Sequence, residues 1–392
     1  MVIEHSCASP VTQCSIDGAP RRAPALFVAS GFCRQPGFGS RHPLSIPRVS
    51  AVLDLCERLG WLEETAYRTA LPASVDELAV FHDLNYVHAL RASDLAGRVE
   101  RETRERYGIG SFENPLFPGV FERAATAVGG SVLAADLALE GRAVFHPAGG
   151  THHGRRDRAS GFCYFNDPVF AIRRLLERDV ARVLYVDLDA HHGDGVQDAF
   201  VDEARVRVVS IHEQGRWPHT GAADDVGGGY ARNLPVPAGF NDSELEFLLD
   251  EVVLPLAREF EPEAVVVTCG TDALAGDPLS GMALSNRALW QAVERVIGST
   301  APAVVLGGGG YNPWTLARCW SGLWGRLSGR EIPVELPEAA RVILRSLSCD
   351  LIEDEDVDGT WLETLVDAPR RGPVRAEVRS LALQGRALHV VA

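Results

Sequence analysis

From Ala23 onward the chain alternates between short apolar runs rich in β-branched residues and longer stretches with apolar positions at helical spacing. The runs at 143–149 (AVFHPAG), 183–189 (VLYVDLD), 206–213 (VRVVSIHE), 264–270 (AVVVTCG) and 303–310 (AVVLGGGG) are apolar at consecutive positions. That is the pattern of strands covered on both faces. Between them, 121–140, 167–178, 242–260, 286–299 and 313–327 read as helices, with Asn166 and Asn241 standing at two plausible starts. The alternation predicts an α/β fold: a doubly wound, mostly parallel sheet flanked by helices.

In such sheets chemistry gathers beyond the carboxyl ends of the strands. His152 and His153 follow the first run, Asp187 to Asp194 close the second, and His212 falls in the third. Asp272 follows the fourth and Tyr311 the fifth. Their convergence at one sheet edge is the main functional signal of the chain.

Residues 1–22 show little periodicity and read as a tail, leaving 23–330 as the main domain. Residues 331–392 hold one helical stretch (VELPEAARVILRSL) and are expected to pack on that domain as an extension. There is no internal repeat. With 46% hydrophobic and 23% charged residues the composition is that of a globular protein. No apolar run reaches the roughly 18 residues of a membrane span, and the first residues do not resemble a secretion signal. A cytoplasmic location is the expectation, with no membrane partner. The eight cysteines form no CxxC pair, which removes zinc ribbons and thioredoxin-like sites. A net charge of −15 argues against direct nucleic-acid binding; it would suit a cationic substrate, and equally an ordinary acidic enzyme.

The segment 187–194 (DLDAHHGD) places five ionisable groups in eight residues at a strand end. Alternation would turn Asp187, Asp189 and His191 to one side. Two buried carboxylates cost several kcal/mol each unless compensated, and a divalent metal with an open position is an economical compensation. A solvated turn held by local hydrogen bonds is the competing reading. Asp272 is a candidate further ligand, although a lone Asp after a strand often only caps the next helix. His152 and His153, in a Gly-rich turn, suit acid/base work near neutrality; metal ligation and a plain pair of loop histidines stay open. Four glycines end in Tyr311, whose phenol could donate to a developing oxyanion. A nucleotide loop is disfavoured, since neither GxGxxG spacing nor a P-loop lysine is present.

Taken together, 149–153 (GGTHH), 160–167 (SGFCYFND), 187–196 (DLDAHHGDGV) and 307–312 (GGGGYN) resemble the histone deacetylase family, which includes acetoin utilisation proteins and acetylpolyamine amidohydrolases. The resemblance runs from His42 to about Trp320, and 364–379 also looks like bacterial acetoin utilisation relatives. It implies an arginase/deacetylase-like sheet and a hydrolase that removes acetyl groups from amines. Asp189, His191 and Asp272 would be the ligands of one Zn²⁺ per chain. His153, backed by Asp194, would be the general base and then the acid toward the departing amine. His152, backed by Asp187, would tune that step, and Tyr311 would hold the oxyanion. Phe162 and Trp217, with Gly161, would wall a tunnel for an acyl-lysine stem, and Glu113 would be the acidic rim residue. A K⁺ ion beneath the zinc, through Asp187 and Ser210, is a further implication.

The chain departs from the family at His219, where relatives tend to have glycine, and at Thr271, where a smaller residue is common. An arginase-like binuclear manganese site would need more carboxylates; position 193 is Gly, and Asp272 has no second ligand two residues on. A silent acetyl-binding module would lack a ligand, base or tyrosine, and all are present. Acetyl-lysine of proteins, acetylpolyamines and other small acetyl-amines would use one site; the acetoin utilisation likeness favours acetyl-lysine. Oligomeric state leaves no mark in the sequence.

Overall fold

The computed structural model describes residues 23–35, 37–39, 42–298 and 302–387. The tail expected over 1–22 and the end of the helix expected over 286–299 lie outside the described residues. The strands are β1 Ala23–Ala29, β2 Tyr67–Thr69, β3 Arg142–His146, β4 Val183–Asp187, β5 Val206–Glu213, β6 Ala231–Val236, β7 Ala264–Thr268 and β8 Ala303–Leu306. They form one eight-stranded sheet in the order β2-β1-β3-β8-β7-β4-β5-β6, parallel throughout.

Helices α1 Val49–Arg58, α2 Val75–Leu78, α3 Leu84–Ala96 and α4 Arg101–Tyr107 precede α5 Val120–Ala138, α6 Asp167–Glu177 and α7 Asp194–Ala199. Then follow α8 Asp242–Leu248, α9 Leu254–Phe260, α10 Asn286–Ile297, α11 Pro313–Leu327, α12 Glu338–Arg345 and α13 Ala376–Ala387. The helix expected over 242–260 is therefore two helices, joined by the π turn Leu249–Val253. Asn166 accepts from the Val169 N–H and Asn241 from the Ser243 and Glu244 N–H groups, so both expected starts are caps.

Along each central strand the side chains alternate between two cores. Leu184, Val186, Val265, Val267 and Val305 face α1 and α8–α12, while Tyr185, Val266, Val304 and Leu306 face α5 and α6. This double coverage explains the unbroken apolar runs of the sequence. The strands not anticipated individually, β1, β2 and β6, lie toward the sheet's edges; β2 has three residues, and β6 carries Pro235, which an edge strand tolerates. The expected runs overshoot at their carboxyl ends, because β3, β4, β7 and β8 stop where the site loops begin.

Beyond Leu327, Leu336, Ala340, Leu344, Leu365 and Leu381 join the α8–α11 core. Arg318 of α11, fully buried, donates from Nε to the Thr364 carbonyl (2.6 Å) and sets Nη2 2.7 Å from Asp367 Oδ1. Among the described residues, no helix is long and apolar enough to cross a membrane.

Candidate active site

Five neighbouring strands, β3, β8, β7, β4 and β5, deliver their following loops to one edge. Asp189, His191 and Asp272 each bring a possible ligand atom within 4.8 Å of the others, and all three are buried. His191 Nδ1 lies 2.9 Å from Asp272 Oδ2 and 3.3 Å from Asp189 Oδ1. The Ala190 N–H donates to Asp272 Oδ1 (3.0 Å) and the Gly309 N–H to Asp189 Oδ2 (2.5 Å).

Asp187 is not in this group. β4 ends at Asp187, so strand alternation does not carry on to Asp189 and His191. Asp187 Oδ2 instead faces His152 Nδ1 (2.7 Å) and accepts from the Tyr185 hydroxyl (2.7 Å). His153 Nδ1 lies 2.8 Å from Asp194 Oδ1, while Asp194 Oδ2 pairs with Arg155, which also binds Asp198. The two imidazoles stand 4.0 Å apart, each backed by its own carboxylate.

This neighbourhood separates their protonation. Burial disfavours charge on both. Asp187 and Asp189 nonetheless hold His152 up at about 9, whereas burial and the adjacent His152 take His153 down to about 3. His153 is thus the neutral partner, able to accept a proton. Burial also opposes charge on Asp189, which His152 and His191 keep ionised; Asp272 is pushed up by burial and by Asp189.

Tyr311 is buried, its ring centre 6.3 Å from that of His191, and burial together with Asp272 pushes its phenol well above 10. It keeps its proton as a donor. Its backbone N–H is held by Asp277 Oδ2 (2.7 Å), a residue the sequence reading missed. Gly308 and Gly310, at φ +141° and +139°, let the strand of glycines pass directly over Asp189 and Asp272.

Gly161 and Phe162 both have positive φ (+56° and +67°), and Ser160 and Cys163 exchange N–H···O bonds of 3.1 and 2.9 Å around them. This is a tight primed turn. It sets Phe162 against His42 (4.6 Å between ring centres) and Tyr311 (5.9 Å). Trp217 packs edge-on against His153 at 4.6 Å. Glu113 accepts a hydrogen bond from the Gly161 N–H. Every residue named for the site from the sequence therefore lies at this edge. His219 is exposed, its Nδ1 turned back to the Gly215 carbonyl (3.0 Å). His212 is engaged by Ser210 Oγ (2.9 Å) and the Gly221 carbonyl (3.0 Å).

Arg48 was also missed, because nothing near it in sequence marks it. It donates to the Gly308 carbonyl and, with Thr151, Phe162 and Tyr164, lines a cavity of about 340 Å³. Arg155 follows the histidine pair by two residues, and that adjacency to His153 was its one sequence signal.

Residues 42–327 match the model of the histone deacetylase domain family. The chain is 37% identical to histone deacetylase 8 of Xenopus tropicalis over 300 residues, covering 74% of this chain and 80% of that protein. It is 34% identical to the acetoin utilization protein AcuC of Bacillus subtilis (strain 168), with 80% and 84% covered. Among solved structures, an HDAC homolog from Aquifex aeolicus superposes with a TM-score of 0.89 at 38% identity, covering 93% of this chain and all of that one.

Proposed function

From the premise that the chain belongs to the histone deacetylase family, we propose that it is a zinc-dependent amidohydrolase acting on N-acetylated amines, with acetyl-lysine of proteins as its substrate class. One observation carries the reading: Asp189, His191 and Asp272 meet beside two carboxylate-backed histidines and a protonated tyrosine. The donor set fits zinc, since one imidazole and two carboxylates leave a position open. Two facing buried carboxylates also call for a cation of higher charge than one imidazolium offers. Zinc bound there would polarise the acetyl carbonyl as a Lewis acid and lower the pKa of water toward about 7.

The rest falls to the chain's own residues. His153, neutral in its buried setting, takes the proton of the attacking water at Nε2, while Asp194 fixes its tautomer from the Nδ1 side. The same proton then passes to the departing amine. His152, hydrogen-bonded to Asp187, tunes that step electrostatically. Tyr311 donates a hydrogen bond to the oxyanion while keeping its proton. Phe162 and Trp217 flank the approach with apolar surface suited to a lysine stem, and Glu113 stands at the rim. The K⁺ site belongs to the same proposal: Asp187 and Ser210 are partners in register on β4 and β5.

The test compares an acetyl-lysine peptide with an acetylpolyamine on zinc-loaded protein, with His153→Ala as control. Peptide turnover lost in the variant is the expected result. Turnover of the polyamine alone would overturn the substrate class, and no turnover of either with zinc bound would overturn the activity.

A further inference from the structure

A second cleft, of about 430 Å³, opens beside the active-site rim between the loops at 108–114 and 155–160. It meets the rim at Glu113, which holds the Gly161 N–H, and at Ser160, where the Phe162 turn begins. Arg104, Arg155 and Arg158 line it, a local reversal of sign in a chain of net charge −15. Arg155 is committed to Asp194 and Asp198. Among the described residues no ion pair takes up Arg104 or Arg158. Both guanidinium groups reach over the turn at 108–110: a Cβ at Gly108 would stand 3.8 Å from Arg158 Nη2, and one at Gly110 3.6 Å from Arg104 Nε.

Asn114 gives an independent sign of a ligand. It lines the same cleft, is only 2% exposed, and its Oδ1 is buried without a hydrogen-bond partner. A buried amide left unpaired is costly, and such groups mark places where something else completes the bonding.

We propose that this cleft binds the carboxylate of an acidic residue flanking the acetyl-lysine of a protein substrate, held between Arg104 and Arg158. The inference rests on the deacetylase reading above and narrows its substrate. A cleft beside the rim, rather than within the tunnel, is reached by a neighbouring residue and not by the acyl chain. Guanidinium pairs with carboxylate in a fork geometry, and the Asn114 Oδ1, an acceptor, can take the N–H of the adjoining peptide group. The uncommitted guanidinium groups of Arg104 and Arg158 would repel a cationic acetylpolyamine.

The experiment uses zinc-loaded full-length protein and fluorescent acetyl-lysine peptides that carry Glu, Gln or Lys beside the acetyl-lysine. Affinity is read by anisotropy, and kcat and KM by deacetylation. The Glu peptide should bind about 3- to 10-fold tighter than the Gln peptide, the scale of two partly exposed ion pairs. Arg104→Ala/Arg158→Ala, which alters two exposed side chains, should close that gap and leave kcat and KM for the Gln peptide unchanged. Equal binding of Glu and Gln peptides by the parent protein would overturn the proposal, as would a gap that survives in the double variant. Turnover of the Gln peptide judges the deacetylase reading separately: if only an acetylpolyamine is hydrolysed, that reading fails, and the binding gap alone decides the cleft.

Discussion

Replacing Gly161 by Ala asks whether the 160–163 turn sets the position of His153. At φ +56° an L side chain costs about 1–2 kcal/mol, and Phe162 next to it, at φ +67°, already bears such a cost. The new Cβ would lie 2.6 Å from His153 Cδ2 and 2.7 Å from Trp217 Cζ3. Carbon atoms ordinarily pack about 3.5–4.0 Å apart, so both rings must move, each by about 1 Å. Trp217 packs directly on His153, so a shift of either is felt at the base. A misplacement of that size costs about 10²-fold in rate. Steady-state deacetylation should show kcat down about 10²-fold, and urea unfolding a loss of about 1–2 kcal/mol. Gly161→Asn separates the two causes, because Asn tolerates the left-handed region yet carries the same Cβ. It should recover stability without recovering turnover. Full kcat in Gly161→Ala, with zinc still bound, would refute the argument that this close approach positions the base.

Three further outcomes follow from the same structure. Tyr311→Phe should lower kcat by about 10²–10³-fold, the 2.7–4 kcal/mol of one oxyanion donor, with zinc per chain unchanged by elemental analysis; loss of the metal would make Tyr311 a structural residue instead. Asp367→Ala strands the buried Arg318 guanidinium and should cost about 3–5 kcal/mol in urea unfolding; a loss below about 1 kcal/mol would mean that the charge is compensated otherwise. Burial opposes charge on Glu244, yet Arg375, from its side chain and its N–H, holds the carboxyl below its ordinary value. A carboxyl lowered in this way adds stability above its unfolded pKa of about 4.3 and loses it as pH falls through its own lower value. Melting temperatures of Glu244→Gln should therefore fall less steeply than the parent's below about pH 4.5, and parallel curves would refute the assignment.

The sequence by itself determined the sheet and its working edge. Strands buried on both faces must be apolar at every position, which is why β4, β7 and β8 stand out as unbroken runs and why the polar residues after them converge. Edge strands escape this demand: β2 is three residues long and β6 contains a proline, so neither leaves a run to read. Site residues within motifs, such as His152, His153 and Asp189, were legible because their neighbours share the task. Arg48, Asp277 and Arg104 were not, because their roles arise from contacts across the fold, with the Gly308 carbonyl, the Tyr311 N–H and the cleft by Arg158. Strand alternation would have turned Asp187 toward Asp189, while the family likeness implied that it backs His152; the tertiary structure decided between them, because the strand ends at Asp187, and where the chain leaves the sheet the period of two no longer says where a side chain points.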